Sequence, residues 1–261
     1  MDVGNDDRTC GNGGLGVISI AVHSYKGGTG KTNLCINMAA HAALSGKSAC
    51  ILELDLDSPN LHNIFKNDKN RWINDYLEGR TELEDVLVDA TKLLGAKKGT
   101  LKVALANPSM EAVRRNMAAD RNQQLAALKR MMAAKSVLDK FDYVFMDTSP
   151  GVTYSSINAV LSADRIVLIA RPDSFDVDGT KRMLSEFYGG LQKKTGLIIN
   201  RSMSDEEGGK AAKSIDAPLL AVIPCYCELA HNRSDNIFIV KNPKHKFRQA
   251  MREVLERIEA L

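Results

Sequence analysis

Residues Lys26–Thr32 read Lys-Gly-Gly-Thr-Gly-Lys-Thr, and no other stretch restricts the fold of this 261-residue chain as sharply. An apolar run, Val17-Ile18-Ser19-Ile20-Ala21-Val22, leads into it, and a helical pattern begins near Lys31. Strand, glycine-rich turn and helix, in that order, form the setting of a phosphate-binding loop. Gly27, Gly28 and Gly30 let backbone N–H groups converge on one anion with no Cβ in the way. The helix N-terminus adds unsatisfied donors and the positive end of its dipole. Lys31 is placed to reach phosphate oxygens, and the Thr32 hydroxyl to ligate Mg²⁺. The first glycine of the usual G-x-x-x-x-G-K-[ST] spacing is missing. Tyr25 stands there instead, followed by a second lysine, Lys26. Lys31 already serves the phosphates from inside the loop, so a cation at its mouth is available to a nucleotide held by a facing subunit.

Strand-like runs occur at Val17–His23, Ser48–Leu54, Leu101–Ala106, Tyr143–Met146, Arg165–Ala170, Thr195–Ile199 and Leu219–Ile223. Most are continuous apolar runs, as strands buried on both faces require. Helical patterns at Thr32–Leu44, Asp120–Leu138, Val177–Gly190 and Pro243–Leu261 alternate with them. Asp120 and Gln123 have the spacing of a capping box. The expected fold class is α/β, a doubly wound and mostly parallel sheet with helices on both faces. The charged segment Asn67–Gly99 is expected as a helical insertion on the sheet edge, and Ser204–Lys213 as an exposed loop or short helix. Residues 1–16 carry five glycines and no periodicity, and are expected to be a disordered extension. Residues 17–261 are expected to form a single domain.

Three further segments end strands with polar groups. Asp55 and Asp57, two residues apart in Glu53-Leu54-Asp55-Leu56-Asp57, leave the sheet on the same side. Asp147 closes Tyr143-Val144-Phe145-Met146, where a carboxylate can hold a water of a Mg²⁺ shell. The following Thr148-Ser149-Pro150-Gly151 is a turn able to change shape on contact with a phosphate. Asn200 closes Leu197-Ile198-Ile199 and offers both a donor and an acceptor to a purine edge.

The loop resembles the deviant phosphate loop of the MinD/ParA family, and the resemblance extends over about residues 17–258. It implies that Lys26 is the signature lysine that crosses to the partner in an ATP-bound homodimer. It implies that the segment Asp55–Asp57 is the first switch, in which Asp57 orients the attacking water and Asp55 sits near the metal, although which carboxylate acts on water is left open. Asp147–Gly151 would be the second switch, with Gly151 its hinge, sensing the γ-phosphate through its N–H; Asn200 would read adenine, and Pro224 would pass the base with its backbone. The loop residues Gly27, Gly28, Thr29, Gly30, Lys31 and Thr32 would bind ATP, with Thr32, Asp55 and Asp147 about the Mg²⁺. Asn33 stands where many relatives have a second Thr and would meet the α-phosphate. Ser149 is added in a turn commonly Asp-Thr-Pro-Pro-Gly, and the C-terminus is the second departure, since the membrane-targeting tail typical of MinD is not evident. Activity implied by the family is a Mg²⁺-dependent ATP hydrolysis, slow until a protein partner accelerates it, with docking on membrane or nucleoid.

Composition narrows this further. A formal net charge of +3 is too small to argue for nucleic acid by itself. No apolar run approaches the roughly 20 residues of a membrane helix. The polar, acidic start Met1-Asp2-Val3-Gly4-Asn5-Asp6-Asp7 is unlike a signal peptide. Five cysteines form no disulfide framework, which fits a reducing cytoplasm. In Phe247, Ala250, Met251, Val254, Leu255, Ile258 and Leu261 the C-terminus carries an apolar face. That face suits packing on the sheet better than lying on anionic lipid, because Glu253, Glu256 and Glu259 occupy the polar side. The basic cluster Lys241, Lys244, His245, Lys246 and Arg248 is either a contact for DNA phosphates or a solvated loop. The alternative function is a metal-cofactor (nickel or Fe–S) maturation ATPase, with Cys225 and Cys227 of two subunits forming a metal site.

Overall fold

The structure, a computed structural model, describes residues 16–230 and 236–261. The N-terminal extension expected at residues 1–16 therefore falls almost wholly outside the described residues. Eight strands form one sheet: β1 (Ile18–His23), β2 (Ser48–Leu54), β3 (Leu87–Asp89), β4 (Thr100–Ala104), β5 (Tyr143–Thr148), β6 (Arg165–Ala170), β7 (Lys194–Ser202) and β8 (Leu219–Pro224). Their order is β3-β4-β2-β5-β1-β6-β7-β8. Every pairing is parallel except β3 with β4. All seven expected strands are present. β3 is an eighth, inside the segment read as a helical insertion. There Leu87 pairs with Ala104 and Asp89 with Lys102, so the insertion lengthens the sheet as well as covering it.

Side chains alternate across the sheet. Ile18, Ile20 and Val22 enter one core layer with the helices Lys31–Leu44 and Lys246–Ala260, while Ala21 enters the other. The second layer contains the helices Arg121–Ala133, Tyr154–Ser162, Ser174–Met183 and Asp205–Lys213. Burial on both faces explains why the strands read as unbroken apolar runs. The C-terminal apolar face is covered in the core, with Phe247, Met251, Val254 and Ile258 at 0% exposure.

Helix boundaries moved for local reasons. Asp173 caps the helix Ser174–Met183 by accepting from the Asp176 N–H at 3.1 Å, three residues before the apolar pattern starts. That helix continues as one π turn, Leu184–Tyr188. The expected helix 120–138 is two helices that meet at Ala134, and its Asp120–Gln123 capping box is formed. His245 caps the last helix, which starts at Lys246. Residues 205–213 form a helix capped by Ser204. Because the strands are parallel, the segments after β1, β2, β5, β7 and β8 all emerge at one edge of the sheet. There β1 lies between β5 and β6, the crevice where such sheets bind ligands.

Candidate functional site

The loop Ser24–Gly30 joins β1 to the helix Lys31–Leu44. Gly28 and Gly30 have φ of 75° and 97°, conformations that a side chain would strain. A Cβ on Gly30 would also fall 2.5 Å from the Asn200 amide nitrogen. The helix has no acidic residue in its first turn, so its N-terminal donors and dipole face no built-in anion. Lys31 is buried. Burial pushes its pKa down, and the carboxylates of Asp147, Asp55 and Asp176 pull it back up. A buried cation at this position is suited to polyanionic phosphate, which would complete its neutralisation. Tyr25, in the place of the missing glycine, lies flat against Gly179 and leaves no room for a Cβ there.

Asp147 lies opposite Val22 on one side and Glu53 on the other. Burial pushes its carboxyl up to about 7, while the Thr32 hydroxyl and Lys31 favour the charged form. Its Oδ1 is buried with no hydrogen-bond partner among the described residues. Asp55 is raised as well, first by burial, and is held by Lys31, by the Ser149 hydroxyl and by the Ser58 N–H at 3.2 Å. Thr32, Asp55 and Asp147 thus gather hard oxygen donors around an orphaned carboxylate oxygen, a donor set that fits Mg²⁺. Among the described residues no three His, Cys, Asp or Glu side chains form a metal cluster of their own. That suits an ion completed by phosphate and water rather than by an all-protein cage. Asp57 is half-buried and accepts from the Asn116 amide at 2.8 Å.

Two side chains near these carboxylates had no assigned role in the sequence. Glu53, 1% exposed, accepts N–H groups of Asn60 at 2.6 Å, Leu61 at 2.8 Å and Ala106 at 2.8 Å. It ties the loop after β2 to the end of β4. His23 is fully buried, with Nε2 2.8 Å from the Gly151 carbonyl and Nδ1 against the Tyr188 hydroxyl. Because a carbonyl only accepts, Nε2 carries the proton and Tyr188 donates to Nδ1. Burial pushes the His23 pKa down to about 4, and Lys31 acts in the same direction. The Gly151 N–H, expected to sense phosphate, donates here to the Ser24 carbonyl at 2.9 Å. Gly151 has φ 70°, and Pro150 lies 3.8 Å from where a Cβ on Gly27 would be. The turn Thr148–Gly151 is therefore bonded to the phosphate loop at Ser24 and lies close to it at Gly27.

Asn200 is buried at the other end of the loop, its Nδ2 donating to the Thr29 carbonyl at 2.7 Å. Arg201 follows with φ 60°, at a β-bulge where pairing with β8 skips from Asn200 to Ser202. Bulges of this kind re-aim side chains next to active sites. Gly30, Asn33, Asn200, Arg201, Pro224 and Tyr226 line a small recess there. Asn33 accepts from the Asn37 amide through both its carbonyl and its Oδ1, at 2.7 Å each. Cys225 and Cys227 are exposed beside the recess. His245 of the basic cluster packs edge-on against Tyr226 and Phe238, so it is structural, whereas Lys241, Lys244 and Lys246 are exposed.

Fold and loop define a P-loop nucleotide-binding protein. A family model described as an AAA domain matches residues 17–203. The chain is 26% identical over 252 residues to an uncharacterized ATP-binding protein of Methanocaldococcus jannaschii, covering 94% of this chain and 88% of that protein. It is 30% identical over 188 residues to a ParA family protein of Chlamydia pneumoniae, covering 69% of each. The fold is similar to that of the septum site-determining protein MinD of Pyrococcus horikoshii, solved with Mg-ADP. The TM-score is 0.74 at 24% identity, with 93% of this chain and 96% of that one covered. The chain belongs to the MinD/ParA family of P-loop ATPases.

Proposed function

We propose that this protein is a Mg²⁺-dependent ATP hydrolase that pairs with a second copy when both hold ATP. In this reading it works as a spatial-positioning switch in cell division or in the partitioning of chromosomes or other cargo. The observation that carries this is the separation of two lysines on one loop. Lys31 is buried in the loop's own cradle, while Lys26 stands half-buried at its mouth beside Asp173 and over the ring of Phe175.

The backbone of residues 27–32 and Lys31 bind the phosphates, with Asn33 near the α-phosphate. Thr32, Asp55 and Asp147 hold Mg²⁺, which supplies charge neutralisation on the phosphates when bound. Asn200 and Pro224 meet the adenine. Gly151 exchanges its Ser24 bond for the γ-phosphate, and Asp57, steadied by Asn116, orients the attacking water. Phosphoryl transfer needs chiefly positioning and charge stabilisation, to which Lys26 of the partner adds. No strong general base is present in this set, so turnover is slow until an activating protein completes the site. The MinD and ParA relatives weigh for this reading over metal-cofactor maturation. The C-terminal apolar face is buried in the core and so is not presented to lipid, and the exposed Lys241, Lys244 and Lys246 are the groups that would meet DNA phosphates.

The test is calorimetric titration with ATP and GTP, each with Mg²⁺, beside light scattering with a slowly hydrolysed ATP analogue. Tighter binding of ATP and a doubling of mass with the analogue are expected. Equal or tighter binding of GTP overturns the adenine assignment, and an unchanged mass overturns the dimer.

A further inference from the structure

A cavity of about 280 Å³ lies outside the nucleotide cradle, and none of residues 24–33 lines it. It is enclosed by the end of β2 and by the helices Ile73–Leu77, Met110–Met117, Arg121–Ala133 and Tyr154–Ser162. Its volume is close to the lower end of the roughly 300–1,000 Å³ range of small-molecule sites. The floor is apolar, built from the buried Leu54, Leu56, Leu77 and Met131.

Two of its lining residues touch the switches. Asn116 donates to Asp57 at 2.8 Å, and the Ser155 hydroxyl is 3.2 Å from that of Ser149. Leu54 and Leu56 flank Asp55 in the chain, so the cavity floor and the first switch are one stretch of backbone.

Three arginines stand at the cavity, and they are not equivalent. Arg80 pairs with Asp75 at 2.6 Å and with Glu78. Arg115 lies 3.8 Å from both Glu78 and Glu111. Arg130 has no ion pair among the described residues, and its guanidinium lies across Gly79 so closely that a Cβ there would have no room. One cation without a counter-charge above an apolar floor matches one anionic head on an apolar body, and Glu78 steers that head away from the other two arginines.

We propose that this cavity binds a small amphipathic anion, its apolar part on the Leu54–Met131 floor and its head on Arg130, and that occupancy stiffens the first switch through Asn116. The binding itself is independent of the ATPase reading. Only its consequence for turnover rests on that reading, so the experiment is done on nucleotide-free protein.

Calorimetric titration uses decanoate, with decan-1-ol and inorganic phosphate as its two halves. Decanoate is expected to bind once per chain, tighter than decan-1-ol by about tenfold or more, as a charge-assisted contact gives. Phosphate alone binds the empty phosphate loop, so its heat should be the same in wild type and Arg130→Glu, and saturating phosphate should leave decanoate binding unchanged. Arg130→Glu should erase the preference for decanoate, while Arg121→Glu, on the same helix but outside the cavity, should bind as wild type. Ala127→Trp should fill the cavity and abolish both. If that variant fails to fold, the two arginine variants decide the matter. Equal affinity for decanoate and decan-1-ol, or an Arg130→Glu variant that binds like wild type, overturns the site. Hydrogen exchange should slow in residues 54–61 on adding decanoate and stay unchanged in residues 205–213. Unchanged exchange in 54–61 overturns the link to the switch.

Discussion

The Lys26 ammonium stands 3.8 Å from the Asp173 carboxylate of its own chain and 5.1 Å over the ring of Phe175. Both charged side chains are more than a third exposed, so the pair is worth no more than about 1 kcal/mol. Lys26 is therefore parked rather than committed, and an arriving phosphate of higher charge density can outbid Asp173. Lys26→Ala should leave ATP binding by a single chain largely intact and abolish both ATP-dependent pairing and hydrolysis. Light scattering with a slowly hydrolysed analogue, wild type and variant side by side, reads the first. A variant that pairs and hydrolyses normally would refute the cross-subunit role.

Asp57 accepts from Asn116, and among the described residues it has no hydrogen bond or ion pair to the phosphate loop. Asp57→Ala should keep nucleotide affinity while turnover falls by about 10²–10⁴-fold, as loss of a positioned catalytic group does. Single-turnover phosphate release measures this. Unchanged turnover makes Asp57 structural and passes the role to Asp55.

His23 offers a pH signature. Its pKa falls from 6.5 to about 4 on folding, so the unfolded chain takes up a proton first as pH drops. The stability it contributes is complete above about pH 6.5 and is lost between there and pH 4, about 2 kcal/mol of it between pH 7 and pH 5. Glu53 and Asp147, pushed up to about 7, act with the opposite sign, because the folded chain is then the one that binds protons first. Wild-type stability alone mixes these contributions. His23→Gln keeps a donor for Gly151 without titrating, so the stability gap between wild type and variant should narrow by about 2 kcal/mol from pH 7 to pH 5. Urea unfolding at the two pH values checks it, and a gap independent of pH would mean that His23 titrates alike in both states.

The Tyr25 ring abuts Gly179, with no room for a methyl group between them. Gly179→Ala should push Tyr25, and with it the entrance of the phosphate loop, and weaken ATP binding by about tenfold or more. Tyr25→Ala in the same chain should recover most of that loss, since the two sites share one contact. Calorimetric titration of both single variants and the double variant tests this. Additive losses would show that the two residues act separately.

The sequence made the strands and the strand-end motifs legible because both are local signals. Short apolar runs bounded by turn residues read as strands buried on two faces; Asp55, Asp147 and Asn200 each sit at the end of such a run, and Lys31 opens the helix after one. β3 was hidden because Leu87–Asp89 is three residues long and lies between charged helices, too short to show a period. Glu53 was visible as a carboxylate inside a strand, an anomaly that calls for buried donors, yet its partners lie up to 53 residues away. His23 gave no signal of its contact with Tyr188, 165 residues on, nor did Asn116 of its bond to Asp57. Such pairings follow from which strand neighbours which, and the order β5-β1-β6 is not written in any one segment.

The single π turn at Leu184–Tyr188 sets the aim of Tyr188. A π turn holds one residue more than the α-helix around it, so the chain beyond it is rotated by about 100° from where unbroken α geometry would put it. That rotation is what delivers the Tyr188 hydroxyl to His23, and through His23 to the Gly151 carbonyl. The count of residues in this helix therefore acts as a setting for the turn that Gly151 ends. Deleting one residue from 184–187 would turn the tyrosine off the histidine and leave the Gly151 carbonyl without its tethered partner.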